Sequence, residues 1–166
     1  MTGIKIELTK LECDLAERLA LDRIVSADRS YADPLIHNAG NNYIKNHRLG
    51  AYGEIAVCKH FNIYPEISGG QDNTDIDCTL NGKRIDVKAA DFHQARLLVE
   101  KNAGDKGTVD IYILAIVEPP IVWIKGRTSA KRIVRPELIT EPRKGKPCYT
   151  MEQSSPDFLT YVNKSC

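Results

Sequence analysis

Closely spaced acidic residues followed by an acidic-x-lysine triplet can hold a hard cation and an attacking water. Asp75, Asp77, Asp86 and Lys88 form such a set in the segment TDIDCTLNGKRIDVK. From Thr74 to Leu80 polar and apolar residues alternate, with Ile76, Cys78 and Leu80 on one face and Asp75, Asp77 and Thr79 on the other, the period of a β-strand. Asn81-Gly82 then predicts a tight hairpin turn, and Ile85, Val87 and Ala89 continue the apolar face while Arg84, Asp86 and Lys88 share the polar one. Counting outward from the turn, Leu80 faces Lys83, Asp77 faces Asp86 and Asp75 faces Lys88. Directly opposed side chains have Cβ atoms about 4.5 to 5.5 Å apart, so two carboxylates are forced together at a cost that a divalent cation would offset. Hard oxygen ligands at that separation suit Mg²⁺ or Mn²⁺, and Lys88 would supply a fixed positive charge beside them. Metal, water and lysine together point to phosphodiester hydrolysis.

The elements around this hairpin must position it. Leu11, Leu15, Leu19 and Ile24 recur at helical spacing and predict an amphipathic helix from Leu8 to about Val25, with Thr9 as a cap. Pro34, Gly40 and a run of Asn mark Asp28 to Asn42 as a loop, followed by a second helix over Tyr43 to Phe61. Ile63 to Ile67 reads as a short strand, closed by the turn signal SGGQDN. Beyond the hairpin, Ala95 to Glu100 fits either a strand or a short helix. Val109 to Val117 is a continuous β-rich run, the pattern of a strand buried on both faces, and Ile121 to Ile124 is expected to pair beside it across Pro119-Pro120.

The segment TDIDCTLNGKRIDVKAA resembles the PD-(D/E)xK nuclease superfamily, in which an Asp ending one strand and an acidic-x-Lys on the next form the core, joined by a Glu from the first core helix. Asp86-Val87-Lys88 matches the acidic-x-Lys element, with Asp in place of the commoner Glu, and Asp77 matches the upstream Asp, with Asp75 as the alternative. Glu54, in RLGAYGEIAVCKHF, matches the helical Glu, with Gly50 and Gly53 letting that helix approach the sheet. The resemblance implies an α/β fold with a restriction-endonuclease-like core, a central mixed β-sheet flanked by helices. It places one domain over residues 1–166, with the motif core at about 43–124, an N-terminal helix and loop over 1–42 and a basic C-terminal extension over 125–166. It further implies a metal-dependent endonuclease acting on DNA. In that reading Glu54, Asp77, Asp86 and Lys88 are catalytic, and Asp77, Asp86 and Glu54 bind Mg²⁺ or Mn²⁺. The alternative is a nuclease fold that has lost turnover and serves as a nucleic-acid-binding or assembly module. A homodimer is compatible with cutting both strands.

The composition adds boundaries. With 166 residues, 42% of them hydrophobic, the chain can bury a core without staples. A net charge of +1 gives no global pull toward a polyanion, although Arg127, Lys131, Arg132, Arg135, Arg143, Lys144 and Lys146 make the C-terminal third basic. That third reads either as a phosphate-contacting surface or as a solvated face. Five cysteines without CxxC spacing exclude a zinc knuckle and point to reduced thiols. With no secretory signal and no apolar stretch of membrane-spanning length, a cytoplasmic protein without membrane contact is expected. No GxxxxGK[ST] loop supports a nucleotide-binding enzyme. His47, His60 and His93 are expected at surface or packing positions, and Tyr112 and Trp123 in the core.

Overall fold

The computed structural model describes residues 3–30, 40–65 and 76–160. Its framework is a five-stranded mixed sheet, ordered β1 (Ile4–Glu7), β6 (Ile121–Ser129), β5 (Ile111–Glu118), β3 (Lys83–Ala90), β2 (Cys78–Leu80). A second, three-stranded antiparallel sheet has the order β4 (Leu97–Glu100), β8 (Lys146–Met151), β7 (Ile139–Arg143). The long helix α2 (Gly40–Phe61) packs on the first sheet and α1 (Lys10–Ser30) packs against α2, while α3 (Lys101–Asp105) and α4 (Ala130–Ile133) are single turns.

β5 organises these layers because water reaches neither of its faces. Ile113, Ala115 and Val117 join Ala51, Ile55, Val57 and Cys58 of α2 and Leu19 of α1 in one buried cluster. Tyr112, Leu114 and Ile116, on the opposite face, join Leu97 and Val99 of β4 and Tyr149 and Met151 of β8 in another. The uninterrupted apolar run follows from this, since both sets of alternate side chains must leave water. β3 runs parallel to β5, with Ile85 opposite Ile111 and Lys88 opposite Leu114, and the crossover between them is made by β4 and α3. β6 returns antiparallel across Pro119-Pro120 and carries β1 on its other edge, Ile4 opposite Ile124.

Several expected boundaries move. Thr9 caps α1 as expected, in a reciprocal box: the Glu12 amide donates to Thr9 Oγ1 at 3.3 Å and the Thr9 amide to Glu12 Oε2 at 2.6 Å. The helix, however, runs on to Ser30, and α2 already begins at Gly40, so the expected Asp28–Asn42 loop is helical at both described ends. Ile63 to Pro65 form no strand, and residues 66–67 of that expectation lie outside the described ones. β1 was not anticipated; IKIE has the strand period but spans only four residues. The ambiguous Ala95–Glu100 segment contains strand, and the C-terminal third is woven into the fold, since β8 pairs with β4 from Leu97–Met151 to Glu100–Cys148. Among the described residues no helix is long and apolar enough to cross a membrane.

α2 crosses the sheet closely at Gly53. A Cβ there would lie 3.3 Å from the Cβ atoms of both Ala89 and Ala115 and 3.4 Å from Val87. Small residues on both sides of the crossing thus set how near Glu54 comes to β3. Gly53→Val is expected to destabilise the fold by about 1 to 3 kcal/mol through overpacking, read as a lower urea midpoint, whereas Gly50→Ala, with only Glu54 Oε1 within reach at 3.7 Å, should change it far less.

Candidate active site

The hairpin forms in the expected register: Leu80 pairs with Lys83 and Cys78 with Ile85, while Asn81 and Gly82 take φ of 49° and 74°. Positive φ at both loop residues is what a two-residue primed turn needs. The ladder stops one rung short of the expected opposition of Asp77 and Asp86. Instead the Asp77 amide donates to the Ile85 carbonyl at 2.9 Å, and the Asp77 carboxylate takes the Val87 amide through Oδ2 at 2.7 Å. A side chain thus replaces the next backbone rung. Because a strand's N–H lies in the plane of its sheet, Asp77 sits at the edge of β3, between the sheet's two faces. Asp75 lies outside the described residues, as does the start of the expected Thr74–Leu80 strand.

The other acids come from those two faces. Glu54 arrives from the helix side and is only 3% exposed. Its sequence neighbours do not neutralise it: Arg48 pairs with Glu17 at 2.5 Å, and Lys59 with Glu12 at 2.7 Å. The partner is Arg23 of α1, whose guanidinium grips both oxygens, Nη1 to Oε1 at 2.5 Å and Nη2 to Oε2 at 2.7 Å. On the opposite face Asp86 is also 3% exposed, with Lys88 Nζ 2.7 Å from its Oδ2. Lys88 keeps a third of its side chain accessible to solvent.

Electrostatics tie the three acids into one unit. Burial raises the Asp77 carboxyl well above the usual carboxylate range, the charges of Glu54 and Asp86 raise it further, and the Val87 amide and Lys88 oppose them. Asp77 as a residue is half-buried, yet its carboxyl is enclosed enough for desolvation to be the largest cause. If all ionise, three carboxylates face Arg23 and Lys88, leaving one negative charge in a poorly solvated place. His47 borders the same cluster: burial lowers its pKa, Arg23 lowers it further, and Glu54 pulls it back. Behind the acids lie the buried thiols Cys58 and Cys78; a hydrogen bond between them and burial push Cys58 upward, with Glu54 and Asp77 adding to the shift.

The structure therefore gathers Glu54, Asp77, Asp86 and Lys88, and adds Arg23, which the sequence reading missed. A signal for it exists. Ala16, Leu19 and Ala20 are the buried positions of α1, and Arg23 continues their i+3/i+4 stripe, a cation where the helix pattern calls for an apolar residue. The histidines away from the cluster have structural contacts, His60 edge-on to Phe61 and His93 between Trp123 and Glu118. Tyr112 is buried and Trp123 packs against the second cluster, as expected of core residues. Searches against protein-family models, curated proteins and solved structures found no match for this chain. Among the described residues no three His, Cys, Asp or Glu side chains already converge as a metal cage.

Two outcomes follow. Arg23→Ala leaves a buried carboxylate uncompensated and should cost about 3 kcal/mol; adding Glu54→Gln should recover much of that, so a double-mutant cycle in urea tests the pair. Asp77 is raised in the folded state, so its contribution is fully present below its unfolded pKa, near the ordinary 3.8, and is lost as pH climbs through the folded value. Stability of the metal-free protein should fall over that rise, and Asp77→Asn, which keeps an acceptor for the Val87 amide, should flatten the profile.

Proposed function

We propose that this protein is a metal-dependent nuclease hydrolysing phosphodiester bonds in DNA, on a restriction-endonuclease-like core of the PD-(D/E)xK type. The observation that carries the reading is the position of Asp77, held at the edge of β3 by the Val87 amide with Glu54 and Asp86 both near enough to raise its pKa. Assembling acids at such a cost is characteristic of sites that work on charge. The order of the parts also supports it: a Glu-bearing helix, an Asp entering the hairpin, an Asp-x-Lys on the next strand and a buried parallel neighbour.

The donor set fits Mg²⁺ or Mn²⁺. All three candidates are hard carboxylate oxygens, and Mg²⁺ needs only one or two of them, taking water and phosphate oxygens for the rest. Asp77 and Asp86 would hold the ion, with Glu54 joining directly or through water. When bound, it would lower the pKa of a water and neutralise a phosphate oxygen. Lys88 is paired to Asp86 yet partly open to solvent, and in this reading it would meet the charge growing on the phosphate during attack. Arg23 fixes the Glu54 carboxylate through both oxygens, so the helix brings a set orientation to the site.

One observation favours a second reading, a nucleic-acid-binding module without turnover: Arg23 already occupies both Glu54 oxygens and could stand permanently where a cation would. Cleavage separates the two. Plasmid, linear, single-stranded and branched DNA are incubated with Mg²⁺, Mn²⁺ or EDTA, with wild type beside Asp86→Asn and Lys88→Ala. Products that need the metal and drop by about 100-fold or more in both variants are expected. DNA bound but uncut by wild type under every condition would establish the binding module, and unimpaired cleavage by Asp86→Asn would remove the site assignment.

A further inference from the structure

The strongest concentration of cations lies away from the acid cluster, at the tip of the β7–β8 hairpin. Its sequence is Arg143-Lys144-Gly145-Lys146, and all four residues are exposed. Gly145 takes φ of 74°, turning the chain so that Arg143 pairs with Lys146 across the ladder. Two cations directly opposed on a sheet repel, as two opposed carboxylates do. Many of the chain's other cations meet a carboxylate, among them Arg23, Lys45, Arg48, Lys59, Arg84, Lys88, Arg96, Lys101, Arg132 and Arg135. Among the described residues Arg143, Lys144 and Lys146 form no ion pair. Within the hairpin, Glu141 accepts the Gly145 amide.

The tip also stands on the Lys88 side of the molecule. Lys88 lies on the face of β3 toward the second sheet, and its charge, with those of Arg143 and Lys146, reaches the Cys148 thiol of β8, which burial and Glu100 push upward. Beneath the turn, Gly145 and Lys146 share a cleft of about 210 Å³ with Glu100, Lys101 and Asn102.

We propose that the β7–β8 tip is a docking surface for the phosphodiester backbone of duplex DNA, contacted without regard to sequence through Arg143, Lys144 and Lys146. This rests on the nuclease reading for its ligand and names the surface that would bring a strand to Lys88. Exposed cations suit phosphate contacts that carry no base information. Repulsion between Arg143 and Lys146 in the free protein would be relieved by the anion. Each phosphate neutralised releases counterions, so three contacts would contribute about 2 to 3 to the slope of log affinity against log salt.

The test is fluorescence anisotropy of a labelled DNA duplex in EDTA, from low to moderate salt. Wild type is compared with the triple variant Arg143→Ala/Lys144→Ala/Lys146→Ala and with a control removing three exposed cations of β1 and α1, Lys5→Ala/Lys10→Ala/Arg18→Ala. Lys146→Glu is added because it converts the repulsive pair into an attractive one, so its melting temperature should hold or rise while binding falls. The expected result is at least a 10-fold loss of affinity at low salt and a shallower slope for the tip triple, with little change for the control. Equal losses in both triples would reduce the effect to net charge and overturn the proposal, as would unchanged binding by the tip triple. Plasmid cleavage by wild type in Mg²⁺, run alongside, distinguishes the two failures. Cleavage with tip-independent binding removes only the docking surface. Tip-dependent binding without cleavage removes only the nuclease, and no binding by wild type removes the docking surface, with the nuclease removed as well where no plasmid is cut.

Discussion

Everything in this molecule is arranged about a strand that water reaches on neither side. β5 supplies Ile113, Ala115 and Val117 to the helices and Tyr112, Leu114 and Ile116 to the second sheet, so both layers are held by one strand. Burial of apolar surface contributes roughly 25 cal/mol per Å², and β5 collects it twice. Its neighbour β3 inherits the arrangement: Ile85 and Val87 must follow the helix-facing set, which leaves Asp86 and Lys88 no choice but the other face.

The buried acids are concentrated where that order lapses. At Asp77 the β2–β3 ladder gives up a backbone rung and accepts a side-chain oxygen in its place. The substitution opens the edge of β3 and brings in a third acid where Glu54 and Asp86 approach from opposite faces. Regular pairing would have placed Asp77 on one face only. The irregularity leaves Asp77 within electrostatic reach of both other acids, and the charges of Arg23 and Lys88 offset theirs.

Much of this was legible in the residues. Asn81-Gly82 gave the turn and the register of Cys78 to Leu80, the run from Val109 gave the central strand, and Thr9 gave the cap of α1. The failures have local causes. Four residues of IKIE carry too few periods to mark β1 as a strand, and nothing in Leu97–Glu100 says that its partner lies some fifty residues onward, at Lys146–Met151. Pairing arithmetic assumed that the ladder continues past Cys78; it could not register that a carboxylate competes for the Val87 amide. Arg23 escaped notice because it lies 31 residues from Glu54, and contacts of that span are settled by how helices pack.

The pairing of β4 with β8 bears on how the chain reaches this state. β4 is made before β5, yet the strand that completes its sheet is among the last segments described. Until Lys146–Met151 emerges, the cluster on the even-numbered face of β5 lacks Tyr149 and Met151, and β4 lacks its pairing partner. A nascent chain from a ribosome would therefore pass through a stage in which half the core is assembled and half is adhesive, with non-local β pairing as the slow step. Productive folding of such a chain is a race between the arrival of its own closing hairpin and capture of that incomplete face by another molecule.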